Sequence, residues 1–155
     1  MYTVRGRSAA TAATADHAVA QLWNQHATQR IKVIQFAVFK TTAGAAADAI
    51  RLRRSSARGT AGSTVTPGIE NHSERGAAPV SGALLDLAAF SVQPTLIAAS
   101  ELGPDFVAAA FAAAGLVYSI PGGIIITPGT GLVIAQVAAT AWPVSGITFV
   151  WMEDW

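Results

Sequence analysis

Residues 31–39 read Ile-Lys-Val-Ile-Gln-Phe-Ala-Val-Phe, a density of branched and aromatic side chains that favours a pleated strand over a helix. Simple alternation puts Ile31, Val33 and Phe39 on one face and Ile34, Phe36 and Val38 on the other, so this strand is predicted to be central. Residues 49–54 alternate more plainly, with Ile50 and Leu52 inward and the arginines outward. Residues 19–24 form a further strand that ends in a turn at 25–29, where Asn24 suits local backbone bonding. Near the C-terminus Ile147, Phe149 and Trp151 fall on one face against Thr148, Val150 and Met152. Both faces are mostly apolar, whereas one face of an antiparallel strand commonly meets water. Cover is therefore expected on the outer side, from a neighbouring molecule or from a long loop of the same chain.

Residues 106–152 contain no charged side chain and no histidine, which raises the question of a membrane span. A spanning helix needs about 20 mainly apolar residues, but Pro121, Gly122 and Gly123 break the run, and Pro128, Gly129 and Gly131 break it again. Thr127-Pro-Gly-Thr130 fits a type II turn, with proline presetting one φ and glycine accepting the positive one, so two strands meet there. Residues 82–91 and 106–118 are open to either helix or strand, with strand expected for 116–120. Residues 59–82, rich in Gly, Ser, Thr and Pro, are expected to be a long excursion. Tyr2 to Arg5 has the pattern of a short strand, but the Ala/Thr/Ser tract at 6–16 lacks apolar periodicity and reads as an arm. The expected fold is all-β: a jelly-roll-like antiparallel β-sandwich at 19–155, preceded by an extended N-terminal arm at 1–18.

Composition narrows the function classes. A chain of 155 residues is one domain by prior and buries a core without staples. With no cysteine, disulfides and thiolate chemistry are unavailable. Charged residues make up 12%, against about 25% in an average protein, and 52% of residues are hydrophobic, which suits burial in an assembly or reflects an Ala-rich composition. No basic region followed by an apolar one stands at the N-terminus, so a signal peptide is not expected. The net charge is only +1, but nine of the ten Lys and Arg residues precede Glu70, with a cluster at Arg51, Arg53, Arg54 and Arg58. Without a basic balance or interleaved aromatics, this cluster reads as a solvated strand edge or an anchor for an acidic protein surface, not as a nucleic-acid site.

Catalytic patterns are not found. His17, His26 and His72 sit apart, and only His72 with Glu70 and Glu74 makes a candidate metal cluster, which reads more simply as loop residues in water. No Gly-x-Ser-x-Gly elbow is present, and the glycines at 122–123 and 129–131 are followed by no lysine, so they read as turns. Of the tryptophans, Trp23, Trp142, Trp151 and Trp155, core or interface packing is the expected role, with sugar stacking as the rival. No enzyme, cofactor or metal is expected.

The succession Leu22-Trp-Asn24, Arg30-Ile-Lys-Val-Ile34, Leu52-Arg-Arg54 with Gly59-Thr60, Tyr118-Ser-Ile-Pro-Gly-Gly123, Thr127-Pro-Gly-Thr-Gly-Leu132 and Phe149-Val-Trp-Met-Glu153 resembles the small single-jelly-roll decoration or cement proteins of tailed bacteriophages. The resemblance covers most of the chain after Val19. It implies a non-enzymatic virion protein on the capsid exterior, synthesised in the host cytoplasm. Such a protein binds the major capsid protein as a homo-oligomer, with a trimer favoured, and engages neither nucleic acid nor membrane. Under it, Tyr2, Val4, Arg5 and Arg7 would form the capsid-contact arm, and Arg51, Arg53, Arg54 and Arg58 a basic edge. Ile147, Phe149 and Trp151 would pack between subunits. A tail or head–tail junction component and a soluble carbohydrate-binding jelly roll are the alternatives.

Overall fold

The computed structural model describes residues 1–66, 70–71 and 82–153. The described chain is all-β. Its strands are β1 (Tyr2–Ser8), β2 (Ala18–Asn24), β3 (Ile31–Lys40), β4 (Asp48–Ala57), β5 (Ser63–Val65) and β6 (Glu70–Asn71). They continue with β7 (Ala83–Leu87), β8 (Thr95–Glu101), β9 (Phe106–Ala108), β10 (Gly115–Ile126), β11 (Gly131–Gln136) and β12 (Ser145–Glu153). Two antiparallel sheets pack into a sandwich. The first, sheet A, runs β10-β3-β12-β1-β6; the second, sheet B, runs β5-β7-β2-β11-β4-β8, with β9 paired to β4.

Alternation along each strand supplies the core. Leu22, Leu85, Leu132, Ile134, Ile50 and Leu52 of sheet B meet Val33, Phe36, Val38, Ile147, Phe149 and Trp151 of sheet A, all buried. Phe36 is central: its ring lies edge-on to Phe106 at 5.4 Å and tilted against Tyr118 and Phe149. The parity expected of β3 changes midway. Partners on both sides skip Ile34, pairing Gln35 and then Val33, so a bulge brings Ile31, Val33, Phe36 and Val38 to the same inward face. Phe39, expected beside Ile31, points outward instead.

The N-terminal segment is not a free arm. β1 pairs with β12 along its whole length, from Tyr2 opposite Trp151 to Ser8 opposite Ser145, and Val4 is buried. Tyr2, Val4, Gly6 and Ser8 face inward, a period-two pattern that the low-complexity tract obscured. Gly6 is required by close approach: a Cβ there would lie 2.5 Å from Leu87 Cδ1. Residues 9–17 also return to their own domain. The Thr11 hydroxyl accepts from the Trp142 N–H at 2.9 Å and donates to the Gln136 side-chain oxygen, while Gln136 Nε2 donates to the Ala12 and Thr14 carbonyls. Gln136→Ala is expected to cost about 1–3 kcal/mol, the penalty for leaving buried partners unsatisfied. Amide exchange should speed up at 9–17 while the core strands stay protected, measurable residue by residue by NMR.

The turn at 127–130 forms as expected, with Gly129 at φ 67° and the Thr130 N–H donating to the Thr127 carbonyl. It joins β10 of sheet A to β11 of sheet B, so it is a crossing between layers and not a hairpin. Residues 82–91 resolve to strand β7, and 106–118 to β9, a turn and the start of β10. The outer face of sheet B is sealed by the same chain. Ala18, Val133 and Ala135 form a second small core under Phe90 and Leu96, so β11 is buried on both faces. This cover of β11 comes from its own chain; the covers expected for 146–152 concerned the other sheet.

Candidate interaction surface

The arginine cluster does not lie on a sheet edge. β4 is flanked by β11 on one side and by β8 and β9 on the other, and each of its arginines has an intramolecular partner. Arg51 pairs with Glu101 at 2.6 Å and Asp105 at 3.0 Å, and Arg53 pairs with Asp16 at 3.2 Å. Arg54, expected to point outward, shares parity with Leu52 and crosses between the sheets to donate to the Ile125 carbonyl at 2.6 Å. Arg58, just past the strand, donates to both oxygens of Asp86 at 2.6 and 2.7 Å. A guanidinium already matched to a carboxylate has few donors left for a partner. The basic edge is thus an internal brace.

Ile147, Phe149 and Trp151 are also placed differently from expectation. All three face the interior of their own sandwich. Their alternation was read correctly, but the layer opposite them is sheet B and not another subunit. The tryptophans are similarly committed: Trp142 and Trp151 are buried, so neither can stack on a sugar.

The outer face of sheet A exposes several large apolar side chains, although Thr3 and Ala37 on it are buried. Register sets its rows from β10 across to β1. Gly115, Phe39, Gly146 and Arg7 form one row; Val117, Ala37, Thr148 and Arg5 form the next. A third row holds Ser119, Gln35, Val150 and Thr3, and a fourth holds Ile125, Lys32 and Met152. Phe39 is 43% exposed, Val117 56% and Ile125 44%. The exposed apolar side chains therefore lie on the β10–β3 side, which also carries Lys32, and the β1 side ends in exposed Arg5 and Arg7. No carboxylate occupies these rows on β10, β3, β12 or β1; on β6, Glu70 continues the third row opposite Thr3. The two arginines expected in an arm thus share one rigid face with Phe39 and Val117, while Tyr2 and Val4, from the same segment, turn inward. Strand spacing of about 4.8 Å makes the four-strand face roughly 15 Å across.

Next to the Phe39 end of β3, exposed Val107 and Phe111 stand on a braced segment. Lys40 enters the interior in the parity of Phe36 and Val38, and its Nζ donates to the Ala109 carbonyl at 2.9 Å and lies 4.5 Å over the Trp142 ring. Its main chain is bonded to Ala113 and Ala114. Burial pushes the Lys40 ammonium down, with Asp48 pulling it the other way, and burial pushes the Asp48 carboxyl up. This lysine was not singled out in the sequence, although its position two residues beyond Val38 was a signal.

An open cleft of about 300 Å³ lies where β10 faces β4, lined by Leu52, Leu102, Tyr118, Ile120, Pro121 and Ile124. It gathers no carboxylate, histidine or cation among its lining residues, so it offers no acid–base pair. Among the described residues no cluster of three or more His, Cys, Asp or Glu is placed to hold a metal. The proposed grouping of His72 with Glu70 and Glu74 lies outside the described side chains, as does Trp155. No helix among the described residues is long and apolar enough to cross a membrane. The protein's class is that of an antiparallel β-sandwich. No protein-family model matches the chain, and no curated protein or solved structure matches it either.

Proposed function

We propose that this chain is a non-enzymatic structural virion protein that decorates and stabilises the capsid shell of a tailed bacteriophage. The observation that carries the proposal is the outer face of sheet A, where Phe39, Val117 and Ile125 stand exposed beside Arg5 and Arg7. An interface commonly combines an apolar centre with a polar rim, and opposite charge on the partner steers and orients the encounter. The partner is therefore a shell subunit, the major capsid protein, presenting an apolar patch flanked by carboxylates. A second copy stacked on this face would set cation against cation. Self-association, favoured as a trimer, falls instead to the uncharged edge of β10 with Val107 and Phe111. Resemblance to phage decoration proteins in the order of turns and strands gives the same reading. A protein that binds only the assembled shell stabilises it by mass action.

The test is the composition of purified particles from the phage that encodes the chain. It is expected in the particle, reachable from outside by antibody, and the Arg5→Glu, Arg7→Glu double variant should bind shells about tenfold more weakly, with a smaller salt dependence. Absence from particles, or unchanged occupancy of the double variant, would refute the reading.

A further inference from the structure

The turn that carries the chain from β2 in sheet B to β3 in sheet A contains His26, and one nitrogen of that ring faces two partners with opposite needs. His26 Nε2 accepts the Gly82 N–H at 3.0 Å, just ahead of β7 in sheet B. The same Nε2 lies 3.4 Å from Glu153 Oε1, at the end of β12 in sheet A. Accepting from Gly82 requires the lone pair, so the neutral ring carries its proton on Nδ1. Donating to Glu153 requires a proton on Nε2, which turns N–H against the Gly82 N–H. The two bonds exclude one another.

The surroundings hold both partners in place. The Gln25 N–H donates to the Gly82 carbonyl at 2.9 Å, and the His26 N–H donates to Asn24 Oδ1 at 3.0 Å, fixing the ring over Gly82. A Cβ at Gly82 would lie 2.5 Å from the imidazole, so only glycine allows this contact. Glu153 is held by the Trp151 indole N–H at 3.3 Å and by Tyr2, whose phenol is pushed up first by burial and then by the charge of Glu153 and a hydrogen bond to it. Glu153 from β12 faces the ring, and Tyr2 from β1 bonds to Glu153. Arg30 on the same turn is exposed, and Gly82 brings no charge.

We infer that His26 is a proton-operated latch that exchanges one inter-strand tie for another. With the ring neutral, the turn is tied to the start of β7 through Gly82. When Nε2 takes a proton, that tie is lost and an ion pair to Glu153 fastens the turn to sheet A. A neutral imidazole can take that second proton, so acidification drives the exchange. It is a device independent of the docking face on the outer side of sheet A.

NMR on the full chain tests it. At neutral to alkaline pH the His26 ring is expected as the Nδ1–H tautomer, read from its ring nitrogen shifts. On acidification the Gly82 amide should shift with the same midpoint as the ring, and its protection relative to the free-chain exchange rate should fall about tenfold. Glu153→Gln should move that midpoint to lower pH while the Gly82 amide still follows the ring, an outcome that a merely structural histidine would not give. His26→Gln, checked for folding by circular dichroism, should abolish the acid-dependent change at Gly82. An Nε2–H neutral tautomer, or a Gly82 amide that ignores the His26 titration in the folded wild-type chain, would overturn the latch.

Discussion

Arg58→Ala is expected to lower folding stability by about 3–5 kcal/mol, because it leaves the buried Asp86 carboxylate without its cation. Asp86 is fully buried on the outer side of sheet B. Its Oδ1 accepts from Arg58 Nη2 at 2.7 Å and from the Thr64 hydroxyl at 2.6 Å, and its Oδ2 accepts from Arg58 Nε at 2.6 Å. One carboxylate thus ties together β7, β5 and the chain just past β4. The Arg58 side chain is 37% exposed, so after Asp86→Ala water partly replaces its lost partner, and Asp86→Ala should cost less than Arg58→Ala. Denaturant titration of both single variants and the double variant measures the coupling. The double variant should recover part of the loss; an Arg58→Ala change within about 0.5 kcal/mol of wild type would contradict the brace.

Trp142→Ala should cost a comparable amount, about 3–5 kcal/mol, through the cavity it leaves and the contacts it removes. The indole is 1% exposed, and its Nε1 donates to the Ser145 hydroxyl at 2.8 Å. Its ring also carries the buried Lys40 ammonium, which loses an attractive surface when the indole goes. Trp142→Phe keeps most of the volume and a ring face, so its loss should be the smaller one. Phe111→Ser, at an exposed position, should fall within about 0.5 kcal/mol of wild type. Thermal unfolding of the three variants gives this order directly, and a Trp142→Ala protein as stable as Phe111→Ser would show that the Lys40 end is not a packed support.

The strand content was legible because Ile, Val and aromatic residues recur with period two and proline–glycine pairs mark the corners. Ile147, Phe149 and Trp151 show the limit of that reading: alternation tells which residues share a face, not whether the layer opposite belongs to the same chain. At Ile34 a single bulge residue shifts the parity of half a strand, and nothing in the composition of 31–40 marks it. β1 was undervalued because its inward positions include Gly6 and Ser8, small residues that carry no hydrophobic signal yet fit where Leu87 packs closest. The arginine cluster was visible, but its acceptors were not. Asp16, Asp86, Glu101 and Asp105 are distant in sequence and meet it only through the pairing of β4 with its neighbours. Arg5 and Arg7 were picked out as contact residues, and the fold places them on a flat face beside Phe39, an association that required the register of β1, β12 and β3 together.

The docking claim is tested most directly by hydroxyl-radical footprinting of the chain free and bound to purified shells. Phe39, Val117 and Met152 should be oxidised in the free protein and protected on the shell, while Trp23 and Leu96 on the sheet B side react equally in both. Protection of the sheet B side chains, with Phe39, Val117 and Met152 unchanged, would contradict the assignment of the outer face of sheet A as the contact surface.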